Sequence, residues 1–170
     1  MIRLLNPDDA AAWRALRLEG LRTDPDAFGQ TYEESTRQDV AAIAARFTPE
    51  ALVDVPVFGA FSADGSLVGT CGLVRASRPK ERHKATLWGM YVQAPARGTG
   101  LGERLLLAAL AHARTMPGIL QVHLSVVSSN EGAARLYRKH GFVAYGLERR
   151  ALRWQGIDLD EAHMACFLDT

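Results

Sequence analysis

The chain has 170 residues, 48% of them hydrophobic and 23% charged, with a formal net charge of +1. That length suits one ordinary domain over 1–170, and the composition supports a packed core and excludes a disordered chain. The near-neutral balance gives no electrostatic footprint for nucleic acid or an anionic membrane, and no apolar run approaches the ~18 residues that a bilayer span needs.

Residues 2–5 read as a short strand. Asn6-Pro7-Asp8-Asp9 is a helix start, with a cap, a proline at the first helical position and acids in the first turn. Trp13, Leu16 and Leu21 carry that helix to about Arg22, and Asp24-Pro25-Asp26 ends it. Residues 27–36 read as a loop holding Phe28, Tyr32, Glu33 and Glu34, and 38–47 predict a second helix. The charges within the first ten positions leave no secretory pattern there. The only cysteines, Cys71 and Cys166, lie in apolar strand-like segments, so reduced buried thiols and a cytoplasmic location are expected.

Pro49 and Pro56 flank the entry to a strand over 57–62. Asp64-Gly65 turns the chain, and 67–74 return. Residues 77–84 form a basic loop, and 87–92 are the next strand. A helix over 100–114 follows, broken by Pro117-Gly118, then a strand over 120–126. After Gly141, residues 142–153 predict a strand or a strand pair, Gln155-Gly156 turns, and 160–168 close the sheet. The order is β-α-α-β-β-β-α-β-α-β-β, a mixed α/β chain. Strand edges and the C-terminal strand leave pairing between chains open, a homodimer among the states allowed, so the sequence does not set the oligomeric state.

Two segments carry chemistry. The first is Tyr91-Val92-Gln93-Ala94-Pro95-Ala96-Arg97-Gly98-Thr99-Gly100-Leu101-Gly102-Glu103. A strand runs into a glycine loop and then into a helix N-terminus. Converging backbone N–H groups and the helix dipole suit a phosphate there, and glycine lets it approach closely. A Walker A loop needs Lys-Ser/Thr after its last glycine, where this chain has Glu103-Arg104. A dinucleotide loop needs a third glycine where Glu103 or Leu105 stands. R-x-x-G-x-G, Arg97 to Gly102, is what remains; a solvated Arg97 is the plainer alternative for that side chain.

The second segment runs from Leu124 through Ser128-Ser129-Asn130-Glu131 to Tyr137, Gly141 and Phe142. Asn130 caps a short helix, or Ser128 and Glu131 form a capping box. Gly141 suits the left-handed position after it. Asn130, Ala133, Ala134 and Tyr137 share one helix face, where the two alanines leave room for a ligand.

Together these blocks, over 87–142, resemble the two signatures of the GCN5-related N-acetyltransferase (GNAT) family. The resemblance implies a mixed α/β (α+β) fold, a mostly antiparallel central sheet flanked by helices, with the fourth and fifth strands splayed apart. It implies acetyl-CoA (coenzyme A) as cofactor. The backbone of Met90, Tyr91 and Val92 would bond its pantetheine arm, and Arg97, Gly98, Thr99, Gly100, Leu101 and Gly102 would hold its pyrophosphate. Asn130 and Ala133 would lie beside it. Tyr137 matches the family's general acid, a phenol of pKa about 10 that can protonate a departing thiolate; a core tyrosine is the alternative. The implied reaction is direct acetyl transfer in a ternary complex to a primary amine, on a small molecule or at a protein N-terminus or lysine. The basic loop over 77–84 favours an anionic or acidic acceptor.

Many family members place a glutamate near the strand before the glycine loop, but Thr86-Leu87-Trp88-Gly89-Met90 holds no acid. Glu33 and Glu34 are the substitutes for the general base, Glu34 through a water, with a solvated pair as the alternative. Tyr32 and Trp88 would line the acceptor pocket, or pack in the core. The missing strand carboxylate keeps open a non-catalytic acyl-CoA-binding regulatory module. A nucleotide-dependent enzyme or kinase would need a lysine and a metal-binding acid at the glycine loop. His112 and His140 are expected exposed, and His123 and His163 on the sheet surface. No His, Cys or Asp cluster has metal-ligand spacing, so no metal is expected.

Overall fold

The computed structural model describes residues 1–168. Seven strands form one sheet: β1 (Ile2–Leu4), β2 (Val57–Phe61), β3 (Leu67–Arg75), β4 (Lys84–Val92), β5 (Gln121–Val127), β6 (Val143–Trp154) and β7 (Ile157–Phe167). Their order is β1-β2-β3-β4-β5-β7-β6, and every pairing is antiparallel except β4 with β5. The helices are α1 (Ala10–Thr23), α2 (Tyr32–Thr36), α3 (Val40–Ala44), α4 (Pro49–Leu52), α5 (Leu101–Thr115) and α6 (Glu131–Lys139).

The sheet buries both faces of its first half. On one face Leu105, Leu106, Ala109 and Leu110 of α5 pack with Leu73, Ala85, Leu87, Val122 and Leu124. On the other, Trp13 and Leu16 of α1 pack with Ile43, Phe47, Phe61 and Tyr91. Trp13 meets Phe47 edge-on at 5.7 Å, and its indole N–H donates to Thr70 Oγ1 at 3.1 Å. Alternation dictates this division: Leu87 turns to α5, so Trp88 turns to α1.

Local signals set the elements around the two motifs. Asn6 Oδ1 accepts from the Asp8 N–H, and the Asp9 carboxylate accepts from the Asn6 N–H while gripping Arg3 at 2.7 and 2.8 Å. Asn130 caps α6 directly, its Oδ1 accepting from the Ala133 N–H at 3.1 Å. Gly141, at φ +86°, turns the chain out of that helix.

Several expectations are corrected or narrowed by the structure. Residues 32–36 are helical, because Thr31 and Glu34 form a capping box that a loop reading overlooks. A further short helix, α4, starts at Pro49 under a Thr48 cap. Strand β4 begins at Lys84, where Lys84–Thr86 pair with Gln121–His123, so the basic loop ends earlier. That loop lies at the start of β4 and the glycine loop at its end. Residues 143–154 form one strand whose pairing with β7 shifts twice. His112, against Phe58, and His140, against the Glu103 carboxylate, are both half-buried rather than exposed.

Candidate active site

Strands β4 and β5 pair only through Lys84, Ala85 and Thr86 with Gln121, Val122 and His123. Beyond these pairs the strands part. Opposite Thr70 and Gly72 of β3 stand Tyr91 and Trp88 of β4, so β4 carries one extra residue between them. Gly89 in that bulge has φ +64°, a conformation that costs glycine nothing. The bulge turns β4 from its parallel neighbour and leaves a gap with two unpaired strand edges.

That gap is a cavity lined by Leu87, Trp88, Gly89, Met90, Leu124, Ser125, Val126, Val127, Asn130, Ala133, Tyr137, Glu161 and Ala27. Met90, Asn130, Ala133, Tyr137 and Trp88 were expected at the site, and the fold brings them to one place. Tyr137 is 6% exposed and lies against the Phe142 ring. Burial pushes its phenol up to about 12, so it stays protonated at neutral pH.

The glycine loop leaves the end of β4. Gly98 and Gly100 take φ of +76° and +75°, and a Cβ at either would meet only open space. Both residues and Thr99 are exposed, and Gly100 is the residue before α5. Arg97 is spent otherwise. Its Nε donates to the Val92 carbonyl at 2.8 Å, its Nη2 to Asp24 at 2.7 Å, and its N–H to the Ala94 carbonyl. This guanidinium holds the Asp24 carboxyl below the ordinary carboxylate range. Arg97 therefore ties the loop to the end of α1, and the donors open to an anion begin at Gly98.

Tyr32 and Glu33 line a different cavity, of about 320 Å³, between the α1–α2 connection and the tip of the β6–β7 hairpin. Glu34 lines neither cavity. Its carboxylate accepts from the Thr31 N–H at 2.7 Å, and these bonds hold its pKa down. The cap, not a substrate, is what Glu34 serves in this structure.

Glu161 lies outside both sequence motifs. It is the one carboxylate in the lining of the gap, half-buried on β7. Burial lifts its carboxyl above the ordinary range; His163 opposes the shift and Glu148 adds to it. Beside it His163 bridges Ser125 Oγ at 2.9 Å and Glu148 Oε2 at 3.0 Å. Polar alternation along 160–168 was the available signal. Among the described residues no group of three or more His, Cys, Asp or Glu side chains could hold a metal ion, and no helix is long and apolar enough to cross a membrane.

Comparison with known proteins agrees with this geometry. A family profile described as Acetyltransferase (GNAT) family matches residues 13–142. The chain is 39% identical over 95 residues to the N-alpha-acetyltransferase RimI of Mycobacterium tuberculosis, which covers 55% of this chain and 56% of that protein. It is similar to the crystal structure of a GNAT-family acetyltransferase from Streptococcus pneumoniae, with a TM-score of 0.88, 25% identity and 99% of each chain covered. It also shares its fold with yncA of Salmonella typhimurium, a putative acetyltransferase solved with acetyl-CoA, at a TM-score of 0.86 and 22% identity over 100% of this chain and 94% of that one. The chain spans about half or less of the length of the curated relatives it matches, down to 15% for one of several mycothiol acetyltransferases.

Proposed function

We propose, from the premise that the chain belongs to the GNAT acetyltransferase family, that it transfers the acetyl group of acetyl-CoA to a primary amine by direct attack in a ternary complex. The observation that carries this reading is one cavity, between two unpaired strand edges, that holds both a buried phenol and a carboxylate raised by burial.

Acetyl-CoA supplies the acetyl group as a thioester, and the residues fit it. The gap-side edge of β4 from Met90 to Val92 offers backbone groups to an extended pantetheine arm, as an added strand would, with the Val92 carbonyl already accepting from Arg97 Nε. The N–H groups from Gly98 to Gly102 face the pyrophosphate, where bonds to a charged group are worth about 1.5–3 kcal/mol each. Asn130 and Ala133 flank the arm from α6.

Glu161 takes a proton from the acceptor ammonium. The amine nitrogen then bonds the acetyl carbon as the carbon–sulfur bond breaks; Tyr137 delivers its proton to the sulfur, and the second proton shed by the new amide nitrogen restores the phenol. A base with a raised pKa binds that proton better than an ordinary carboxylate does. Glu161 takes the role that Glu34, held in its helix cap, does not fill, and a carboxylate in the gap supports an enzyme over a non-catalytic acyl-CoA module. The test is calorimetric titration with acetyl-CoA followed by an acetylation assay over amines and peptides. Micromolar binding and turnover support the reading; a folded sample that binds no acetyl-CoA overturns it.

A further inference from the structure

Two arginines on the α1 face carry no carboxylate partner among the described residues. Arg17 stacks on the Phe28 ring at 4.4 Å, and its Nη2 makes one long bond, 3.4 Å, to Gln30 Oε1. Its Nη1 is buried with no acceptor. Arg46 stands over the Trp13 and Trp88 rings at 5.5 and 5.6 Å, and the Trp88 indole N–H is likewise buried without an acceptor. Burial pushes the Arg17 guanidinium down to about 10, with Arg46 adding repulsion, and pushes Arg46 down as well.

The place matters as much as the charge. Arg17 Nη1 lies 3.8 Å from where a Cβ on Gly89 would stand, so it borders the bulge that opens the gap. Its other partners, Phe28 and Gln30, wall the cavity under the hairpin tip. Arg17 thus stands in the partition between the two cavities. A surplus of buried donors is costly until an acceptor arrives. A carboxylate accepts only, and its two oxygens match the fork of a guanidinium.

We propose that the acceptor is an amine that also bears a carboxylate, an amino-acid-like molecule, and that Arg17 and Arg46 form its anion subsite. This rests on the acetyltransferase reading above. The carboxylate displaces the weak Gln30 contact, which leaves the amine at the gap beside Gly89. The rest of the acceptor extends under the hairpin tip, where Leu21, Phe28, Leu152, Trp154 and Ile157 offer apolar contacts beside the charged Arg22, Asp26, Glu33 and Arg153.

The test compares L-leucine, L-phenylalanine and L-methionine with their carboxamides and decarboxylated amines. Turnover is measured with acetyl-CoA, and binding by calorimetry on protein saturated with CoA. At least one free amino acid should be preferred over its uncharged counterparts about 10-fold or more in kcat/KM. Arg17→Gln and Arg46→Gln should each cut that preference about 10-fold through KM, with partial recovery in Arg17→Lys. Should Arg17→Gln fail to fold, Arg46→Gln and the wild-type comparison still decide. Equal use of amides and amines, a preference that survives both substitutions, or acetyl-CoA binding with no response to any probe overturns the subsite alone. Failure to bind acetyl-CoA overturns the acetyltransferase reading beneath it.

Discussion

Tyr137 and Glu161 line one gap from opposite faces of the sheet. Tyr137 belongs to the core under α5, with Val126 and Ala134. Glu161 is paired across β7 with Val127 and Glu148, so it shares their face, while its neighbour Ala162 packs toward α5. A donor and an acceptor of protons therefore approach the gap from two sides.

Tyr137→Phe should lower kcat about 10-fold or more and leave acetyl-CoA affinity nearly intact, because the ring still packs against Phe142. Steady-state assay paired with calorimetry checks this. Unchanged turnover would remove the phenol from the reaction.

Glu161→Gln should lower kcat about 100-fold. A base works deprotonated, so the rate rises with pH through its pKa. Burial raises that pKa, which puts the rise above the ordinary carboxylate value of about 4.3. The groups around it are His163 on its own strand, Glu148 on β6 and Tyr137 on α6. A pH profile of kcat/KM should show the rise in the parent and lose it in Glu161→Gln.

Gly100→Glu should abolish micromolar acetyl-CoA binding in a folded protein. The new side chain has open space but sits at φ +75°, a cost of about 1–2 kcal/mol for an L residue. Its carboxylate opposes the pyrophosphate at the helix N-terminus. Retained affinity in a folded variant would sink the loop assignment.

Gly72→Ala tests the floor beneath Trp88. A Cβ there would stand 2.6–2.8 Å from Trp88 Cε2, Cζ2 and Nε1. The indole must shift, which should cost about 1–3 kcal/mol in denaturant unfolding and also reduce turnover, since Trp88 lines the gap.

What the sequence made legible here was local. Asn130, Gly141 and the glycines at 98 and 100 act within a few residues of themselves, so their caps and turns could be read from the chain. Helix α2 was harder, because only Ser35 of its five residues is buried and no apolar period marks it. Its Thr31–Glu34 pair was the signal. The bulge at Gly89 also had a mark, a glycine inside a strand. Glu161 was the least legible. Its place at the gap depends on β7 inserting between β5 and β6, a pairing between residues 34 to 46 positions apart. The arginines at 17 and 46 look like ordinary helix-surface charges until α1 and α3 are laid over Trp88.

The short run of pairing between β4 and β5 also divides the molecule mechanically. One block holds β1 to β4 with α1, the other β5, β7 and β6; among the described residues three ladder pairs join them in the sheet, flanked by backbone bonds from Leu120 and Gln121 to the His83 carbonyl, and the core under α5 spans both. Amides along the parted edges, beyond Thr86 and His123, should exchange deuterium quickly, while those facing β3 and β7 stay protected. A ligand arm laid into the gap completes the sheet, so its binding should be read as slowed exchange across a seam and as closer cooperation of two blocks in unfolding.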